Sequence, residues 1–234
     1  MTPTSQSSMQ LEERYGAHNY HPLPVVLEKG EGVYVWDVEG RQYYDFLSAY
    51  SAVNQGHCHP KIVGAMIAQA QQLTLTSRAF YNSKLGAYEK YMSETFGFEK
   101  TLPMNTGAEA VETAIKLARK WGYEKKGVPQ NNGVIVVCEG NFHGRTTTII
   151  SFSDDADARD NFGPYTSGFV SIPYNDIEAL NFALLNENVV GFLVEPIQGE
   201  AGVNTPDDNY ISRAAALCKE RKMLVSVSYR QLRC

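Results

Sequence analysis

Hydrophobic and polar residues follow two different patterns along the chain. Over residues 24–47 they alternate, and the pair Glu39-Gly40 separates two apolar runs at 33–36 and 43–46. Alternation with a period of two around a glycine turn is typical of a β-hairpin. We therefore predict a small amino-terminal lobe that contains a β-hairpin.

After this lobe the apolar residues recur with the period of a helix. Ile62, Met66, Ala70 and Leu73 fall on one helical face, and a second helical pattern lies near residues 83–96. Apolar residues at this spacing indicate amphipathic helices. Two consecutive helices are therefore predicted here.

The rest of the chain alternates short apolar runs with helical patterns. Strands are predicted at Val134–Cys138, 148–152, Phe169–Ile172 and 192–195. Helices are predicted at 176–186 and 208–221, and a short strand that opens into a long helix at 102–121. Continuous apolar strands that alternate with helices indicate a parallel sheet covered on both faces. The predicted fold class is α/β, a mainly parallel sheet flanked by helices.

Composition and charge exclude several classes of function. The net charge is −5, and no block of Lys and Arg could follow a phosphate backbone, so a nucleic-acid partner is not expected. No apolar run approaches the roughly 18 residues of a membrane helix. Residues 1–10 are polar and have no hydrophobic signal core. These features predict a soluble cytoplasmic protein that has no membrane partner.

The cysteines are scattered, and none forms a CxxC pair. This spacing indicates reduced thiols, not a disulfide framework or a zinc ribbon. His57-Cys58-His59 contains zinc-ligand types, but alternating strand residues point to opposite faces and no second cluster supplies further ligands. A structural turn is the preferred interpretation, and no metal is expected.

A helix start at LPMNTGAEA (102–110) is the strongest local feature. Thr106 and Glu109 have the spacing of a capping box, and Gly107 and Ala108 leave the first backbone N–H groups unshielded. Free donors at the positive end of a helix dipole suit a phosphate group. An ordinary well-capped helix would have the same pattern.

The segment GNFHGR (140–145) directly follows a predicted buried strand. In α/β sheets, ligands bind at the carboxyl ends of the strands. Phe142 could stack on a flat ring there, and Arg145 could hold a carboxylate through two parallel hydrogen bonds. A surface turn with a solvated arginine is the alternative.

A third strand runs into a glycine-bearing loop that carries Glu195, Gln198 and Glu200. Two carboxylates and an amide at a strand exit are costly to bury unless they have partners, so they favour a polar site. A solvent-exposed loop would explain them equally well.

These segments, taken in order, resemble the class III, fold-type I aminotransferases that use pyridoxal phosphate, and among them the branch that acts on ornithine. The matching segments are YGAHNYHPLP (15–24), SAVNQGHCHP (51–60), LTLTSRAFYN (73–82) and VEPIQGEAG (194–202). The resemblance covers about residues 13–225. It implies residues 1–50 as part of the small domain and 51–225 as part of the large, cofactor-binding domain.

The resemblance also implies the cofactor contacts. Thr106, Gly107 and Ala108 would hold the phosphate of pyridoxal 5'-phosphate, and Phe142 would stack on its pyridine ring. Glu195 would line the same site. His143 is counted with the cofactor-binding residues, although some relatives have tryptophan there.

The substrate contacts follow in the same way. Arg145 would bind the α-carboxylate of ornithine or glutamate, and Tyr20 would contact the same end of the substrate. Tyr50 would shape the pocket for the distal amine of ornithine. Glu200 would pair with an arginine from the later half of the enzyme, masking it while ornithine reacts and releasing it when 2-oxoglutarate binds.

The implied reaction transfers the δ-amino group of ornithine to 2-oxoglutarate, giving glutamate 5-semialdehyde and glutamate. The family implies a homo-oligomer for the full-length form. Two alternatives stay open. One is a related class III enzyme for acetylornithine or 4-aminobutyrate, and the other is a catalytically dead fragment that pairs with intact subunits.

The chain departs from the family pattern near its end. Ser228 stands where the family has the aspartate that pairs with the pyridinium nitrogen, and a serine hydroxyl cannot replace that negative charge. The lysine that forms the Schiff base belongs to the half that follows. We therefore expect residues 226–234 to be an aberrant tail, and this chain to have no catalytic lysine and to be inactive alone.

Overall fold

The computed structural model describes residues 4–228. The chain separates into two compact units, one ending at Tyr91 and one beginning at Met92. The predicted functional division at residue 50 concerns the domains of a full-length enzyme and stays a prediction.

A helix that the sequence patterns did not predict opens the first unit. Helix α1 spans Ser5–Tyr15 and begins at a capping box between Thr4 and Ser7. The Ser5 amide and hydroxyl donate to the Glu39 carboxylate, at 2.8 and 2.5 Å. No residue of α1 is buried. Its sequence is mostly polar, with Met9, Leu11 and Tyr15 as its apolar residues, so it has no apolar run that would have indicated a helix.

The predicted hairpin is confirmed, and it belongs to a three-stranded antiparallel sheet. The strands are β1 (Leu27–Glu31), β2 (Tyr34–Asp37) and β3 (Gln42–Tyr44), in the order β1-β2-β3. Asp37 closes the β2–β3 turn by accepting hydrogen bonds from Glu39 N, Arg41 N and Tyr43 Oη. Gly40 has a φ of +84°, which explains the glycine in this turn.

The next two predicted helices are also present, as α2 (Pro60–Ala70) and α3 (Leu85–Phe96), and the division between the two units falls within α3. Between the sheet and α2, residues Ser48–Ser51 form a four-residue turn in the left-handed conformation.

The second unit is built on the predicted parallel sheet. Its strands are β4 (Val134–Cys138), β5 (Phe169–Ile172), β6 (Val189–Val194) and β7 (Leu224–Val227), in the order β5-β4-β6-β7. Its helices are α4 (Gly107–Trp121), α5 (Ala156–Arg159), α6 (Ile177–Ala183) and α7 (Tyr210–Glu220). A π-helical turn at Gly122–Lys126 extends α4.

Alternate residues of the strands enter two separate cores. Ile135, Val137 and Leu193 pack with Val111 and Ile115 of α4 on one face of the sheet. On the other face, strand residues pack against α6 and α7 in a second cluster, which includes Val136, Phe192, Leu180 and Ala214. Both faces are covered, so the strand residues are apolar without alternation.

Two predicted strands are wrong. Residues Ile149–Phe152 form a 3-10 helix, and residues 102–105 are not part of any strand. Ile149, Ile150 and Phe152 are all buried. A short buried apolar run does not by itself distinguish a strand from a helical turn.

Candidate active site

The start of α4 has free hydrogen-bond donors. Thr106 Oγ1 accepts from Glu109 N at 3.1 Å, and the Glu109 carboxylate accepts from Thr106 N at 2.9 Å, which forms the predicted capping box. Within residues 4–228 the N–H groups of Gly107 and Ala108 have no hydrogen-bond partner. A Cβ on Gly107 would meet no atom within 4 Å. The positive end of α4 is therefore open to an anion.

The loop 140–145 lies against this helix start. Gly144 has a φ of +124°, and a Cβ at this position would come 2.9 Å from the Ala108 side chain. Thr146 donates to the Glu112 carboxylate on α4. The structure thus brings together two of the motifs that the sequence analysis singled out.

A buried amide fixes the base of the loop. The Asn141 side-chain amide donates to Cys138 O at 2.7 Å and to Phe152 O at 2.9 Å. Gly140 N donates to the Asp154 carboxylate at 2.6 Å. These bonds tie the loop to the end of β4 and to the 3-10 helix, so the residues that follow are held on a rigid base.

The loop is also bonded to the end of β6. The Glu195 carboxylate, which is buried, accepts from Phe142 N at 3.0 Å. The Arg145 guanidinium carbon lies 5.9 Å from the centroid of the Phe142 ring. Phe142 is half-buried and Arg145 is exposed. An aromatic face and a guanidinium therefore project from one loop whose backbone is held by a carboxylate.

Two further side chains, Tyr174 and Gln198, support the loop after β6. The Tyr174 hydroxyl donates to Glu195 O at 3.1 Å and to Pro196 O at 2.9 Å. The buried Gln198 amide donates to Glu139 O at 2.7 Å and so links the loops after β6 and β4. An amide at this strand exit is visible in the sequence, but Tyr174 carries no sequence signal because its contacts are 21 and 22 residues away.

Glu200 lies on an exposed turn. The backbones of Gln198 and Asn204 form a bridge with two hydrogen bonds of 3.0 Å, which closes this turn. Of the three polar residues at this strand exit, Glu195 and Gln198 are therefore buried and hydrogen-bonded, whereas the tight turn carries the Glu200 side chain out to solvent.

His143 is the most unusual polar residue of the loop. It is 5% exposed, and neither ring nitrogen has a hydrogen-bond partner among the described residues. Burial lowers the pKa of His143 to about 4, so the ring is neutral near pH 7. Leaving buried polar atoms without partners costs about 1–3 kcal/mol. Such an arrangement favours a site that a bound group completes.

Tyr20 and Tyr50 belong to the first unit, and both side chains are exposed, at 57% and 45%. Tyr50 lies in the left-handed turn, where its φ is +57°. A non-glycine residue in this conformation costs about 1–2 kcal/mol. The Tyr50 backbone is therefore in a strained conformation.

Ser228 directly follows β7. Its N–H donates to Val194 O at 2.8 Å, which places residue 228 beside the carboxyl end of β6. A hydroxyl, not a carboxylate, therefore occupies this position on the strand edge that also carries Phe142 and Glu195. Residues 229–234 of the predicted aberrant tail lie outside the described residues.

The His57-Cys58-His59 segment has a structural function. The His57 imidazole bonds to Asp45 at 2.7 Å, and the His57 backbone forms a bridge with Gly32. Cys58, Cys138 and Cys218 are free thiols, and burial raises the pKa of Cys138 to about 12. Cys234 lies outside the described residues. Within residues 4–228 no helix is long and apolar enough to cross a membrane.

Comparisons with known proteins show the family. The model of the aminotransferase class-III family matches residues 15–227. The mitochondrial ornithine aminotransferase of Rattus norvegicus is 58% identical over 222 residues, which are 95% of this chain and 51% of the relative. The chain spans about half the length of the curated relatives it matches.

Solved structures give the same result for the fold. The ornithine aminotransferase of Toxoplasma gondii ME49 superposes with a TM-score of 0.94 at 47% identity, over 96% of this chain and 53% of that one. The acetylornithine aminotransferase of Elizabethkingia anophelis has a TM-score of 0.84 at 55% identity, over 97% and 53%. The predicted α/β fold and the family resemblance are confirmed, and the chain belongs to the class III aminotransferase family.

Proposed function

We propose that this chain forms the amino-terminal half of an ornithine δ-aminotransferase, which transfers the δ-amino group of ornithine to 2-oxoglutarate. The observation that carries the proposal is the arrangement at the carboxyl ends of the parallel strands. There the loop 140–145 lies against the start of α4, and Phe142 N donates a hydrogen bond to the Glu195 carboxylate. The identity of 58% to the rat ornithine aminotransferase supports ornithine as the amine donor.

The residues of this edge fit pyridoxal 5'-phosphate. The N–H groups of Gly107 and Ala108, which have no partner in the described part of the chain, and the Thr106 hydroxyl suit its phosphate. The half-buried ring of Phe142 suits stacking on its pyridine. When bound, the cofactor supplies the electron sink for the reaction.

The protein residues bind and orient the substrate. In the proposal the Arg145 guanidinium holds the α-carboxylate through two parallel hydrogen bonds, and Tyr20 contacts the same end. Tyr50 faces the distal amine of ornithine, which 2-oxoglutarate lacks. Glu200 pairs with an arginine of the second half during the ornithine step.

Glu195 and His143 act on the cofactor side of the site. The Glu195 carboxylate accepts a hydrogen bond from Phe142 N, and so sets the position of the Phe142 ring relative to the cofactor. The buried, neutral His143 excludes water from beneath the loop without adding a charge.

The remaining proposals concern assembly and context. We propose a homo-oligomer for the complete enzyme. Ser228 stands at the family position of the aspartate that pairs with the pyridine nitrogen, and the Schiff-base lysine of the family belongs to the half that follows. We therefore propose that this chain alone is inactive. The cytoplasmic location stays a prediction, since the rat and Drosophila melanogaster relatives are named as mitochondrial.

The experiment uses a complete enzyme. In it, residues 1–227 of this chain are joined to the carboxyl-terminal half of an ornithine aminotransferase, taken from the same gene or from the rat protein. Ornithine, acetylornithine and 4-aminobutyrate are compared as amine donors with 2-oxoglutarate. We expect kcat/KM for ornithine to exceed the other two values by about 100-fold or more, the discrimination that a dedicated polar pocket gives.

Acetylornithine is the second candidate donor because the Elizabethkingia anophelis enzyme is 55% identical. A larger kcat/KM for acetylornithine would replace the proposal with this alternative. Co-purification of the chain with an intact subunit, without cofactor absorbance of its own, would support the fragment that pairs with intact subunits.

A further inference from the structure

The turn that carries Tyr50 has a backbone conformation that must be stabilised by other contacts. Ser48, Ala49, Tyr50 and Ser51 have φ values of +48°, +47°, +57° and +69°, and none of them is glycine. L-residues normally visit this conformation singly. Four consecutive residues keep this conformation only when surrounding contacts stabilise it. Such backbone strain is found most often at functional sites.

The Asp45 carboxylate is bonded to the beginning of this turn. Its Oδ1 atom accepts from Leu47 N at 3.0 Å and from Ser48 N at 2.9 Å. Its Oδ2 atom lies 2.7 Å from His57 Nε2. The bonds from His57 and from Ser48 N lower the pKa of Asp45, so the carboxylate is ionised near neutral pH. One anion therefore joins the entry of the turn to a residue that follows it.

His57 is itself fixed to the β1–β3 sheet. Its backbone N–H donates to Gly32 O at 2.8 Å, and its carbonyl accepts from Gly32 N at 3.0 Å. Its ring packs so closely on β1 that a Cβ on Gly30 would lie 2.7 Å from His57 Cγ. The Asp45 backbone N–H donates to Val33 O at 2.9 Å. Both ends of the Asp45–His57 contact are thus held by the same sheet.

We propose that Asp45 and His57 are positioning residues for the amine donor: together they hold the left-handed turn that presents Tyr50. The inference rests on the proposed function, in which Tyr50 faces the distal amine of ornithine. Neither residue touches the substrate in this proposal. They act by keeping the Tyr50 backbone in a conformation that it would otherwise leave.

The test measures both half-reactions of the complete enzyme and of its Asp45→Asn variant. We expect KM for ornithine to rise about tenfold, a change of the size that the loss of a charge-assisted hydrogen-bond network gives. We expect kcat and KM for 2-oxoglutarate to stay within about twofold, because that substrate has no distal amine. His57→Phe should shift the same KM in the same direction.

Asp37→Asn is the matched control. Asp37 also accepts two backbone N–H groups and one side-chain donor, at 3.1, 2.8 and 2.7 Å, but it closes the β2–β3 turn. It lies in the same sheet, so the variant reports any general loss of structure in this unit. We expect Asp37→Asn to leave KM for ornithine within about twofold.

A rescue variant tests the strain directly. Ala49 lies inside the left-handed turn, and glycine adopts this conformation without a steric cost. Adding Ala49→Gly to Asp45→Asn should bring KM for ornithine back to within about threefold of the unmodified enzyme. A merely destabilising effect of Asp45→Asn would not be reversed in this way.

The outcomes separate the inference from the proposed function. If the unmodified complete enzyme does not transfer the amine of ornithine, the proposed function fails and the inference fails with it. If it does, but Asp45→Asn leaves KM for ornithine unchanged or changes it no more than Asp37→Asn does, only the inference is overturned.

Discussion

The two compact units of the chain bury their apolar residues to different extents. All six residues of β6 in the second unit are buried, and α4 buries Val111, Ile115 and Ala118. In the first unit, α1 and α2 contain no buried residue. The apolar face of α2 nevertheless includes Ile62 and Met66, which are 54% and 64% exposed. The second unit covers its own sheet, whereas α2 of the first unit presents an apolar face that the described residues leave open.

This difference indicates where each unit obtains its stability. A contiguous apolar patch on a folded surface is typical of a protein interface, and the homo-oligomer proposed for the complete enzyme would use such a patch. The core of the second unit depends only on its own strands and helices. Substitutions in the two units should therefore have different effects.

The largest expected effect is the loss of a core side chain from the second unit. Phe192 is 1% exposed in β6. We expect Phe192→Ala to lower the free energy of unfolding by about 3–5 kcal/mol, and Met66→Ala in the first unit by no more than about 0.5 kcal/mol. Pulse proteolysis of the chain in urea measures both values. An equal loss of unfolding free energy in Met66→Ala would mean that the first unit has a core of its own. The proposed difference between the two units would then be wrong.

The second expected effect is a pH dependence confined to the second unit. The pKa of His143 falls from 6.5 in the unfolded chain to about 4 in the fold, so the unfolded chain binds the proton first as the pH decreases. Stability from this group is complete above pH 6.5 and is lost between there and pH 4. At pH 5 the loss should be about 2 kcal/mol relative to pH 7.5.

Urea unfolding at these two pH values measures the loss, and His143→Phe should abolish it. In the first unit the lowered pKa values belong to carboxylates such as Asp37 and Asp45, whose contribution is lost only as the pH falls through and below the ordinary value of 3.8. A similar loss at pH 5 in the His143→Phe variant would contradict this prediction.

The smallest expected effect compares one tyrosine hydroxyl group in each unit. The Tyr174 hydroxyl serves two carbonyls beside the proposed site, whereas the Tyr34 hydroxyl in the first unit donates to Tyr44 Oη at 3.3 Å on the surface. We expect Tyr174→Phe to cost about 1 kcal/mol of stability and to weaken cofactor binding about fivefold.

Absorbance titration of the complete apoenzyme with pyridoxal phosphate measures the affinity. Tyr34→Phe is the control and should leave both quantities unchanged within about 0.5 kcal/mol. Equal effects of the two variants would show that Tyr174 does not support the loop that bears Glu195.

The sequence alone determined the fold class and the local chemistry of the motifs. The unbroken apolar run Val134–Cys138 predicted its strand to the residue, because a strand covered on both faces needs no polar positions. The spacing of Thr106 and Glu109 predicted the capping box, because a cap depends on residues only three positions apart. Helix α1 was missed because most of its residues are polar.

Only the tertiary structure decided which distant residues meet and which side chains lose contact with water. The run 148–152 became a 3-10 helix because packing, not local preference, selects the conformation of a short buried segment. Tyr174 reaches the loop after β6, and His143 is buried without hydrogen-bond partners among residues 4–228. Hydrogen bonds between distant segments and the desolvation of a side chain depend on the assembled fold, so no local pattern in the sequence encodes them.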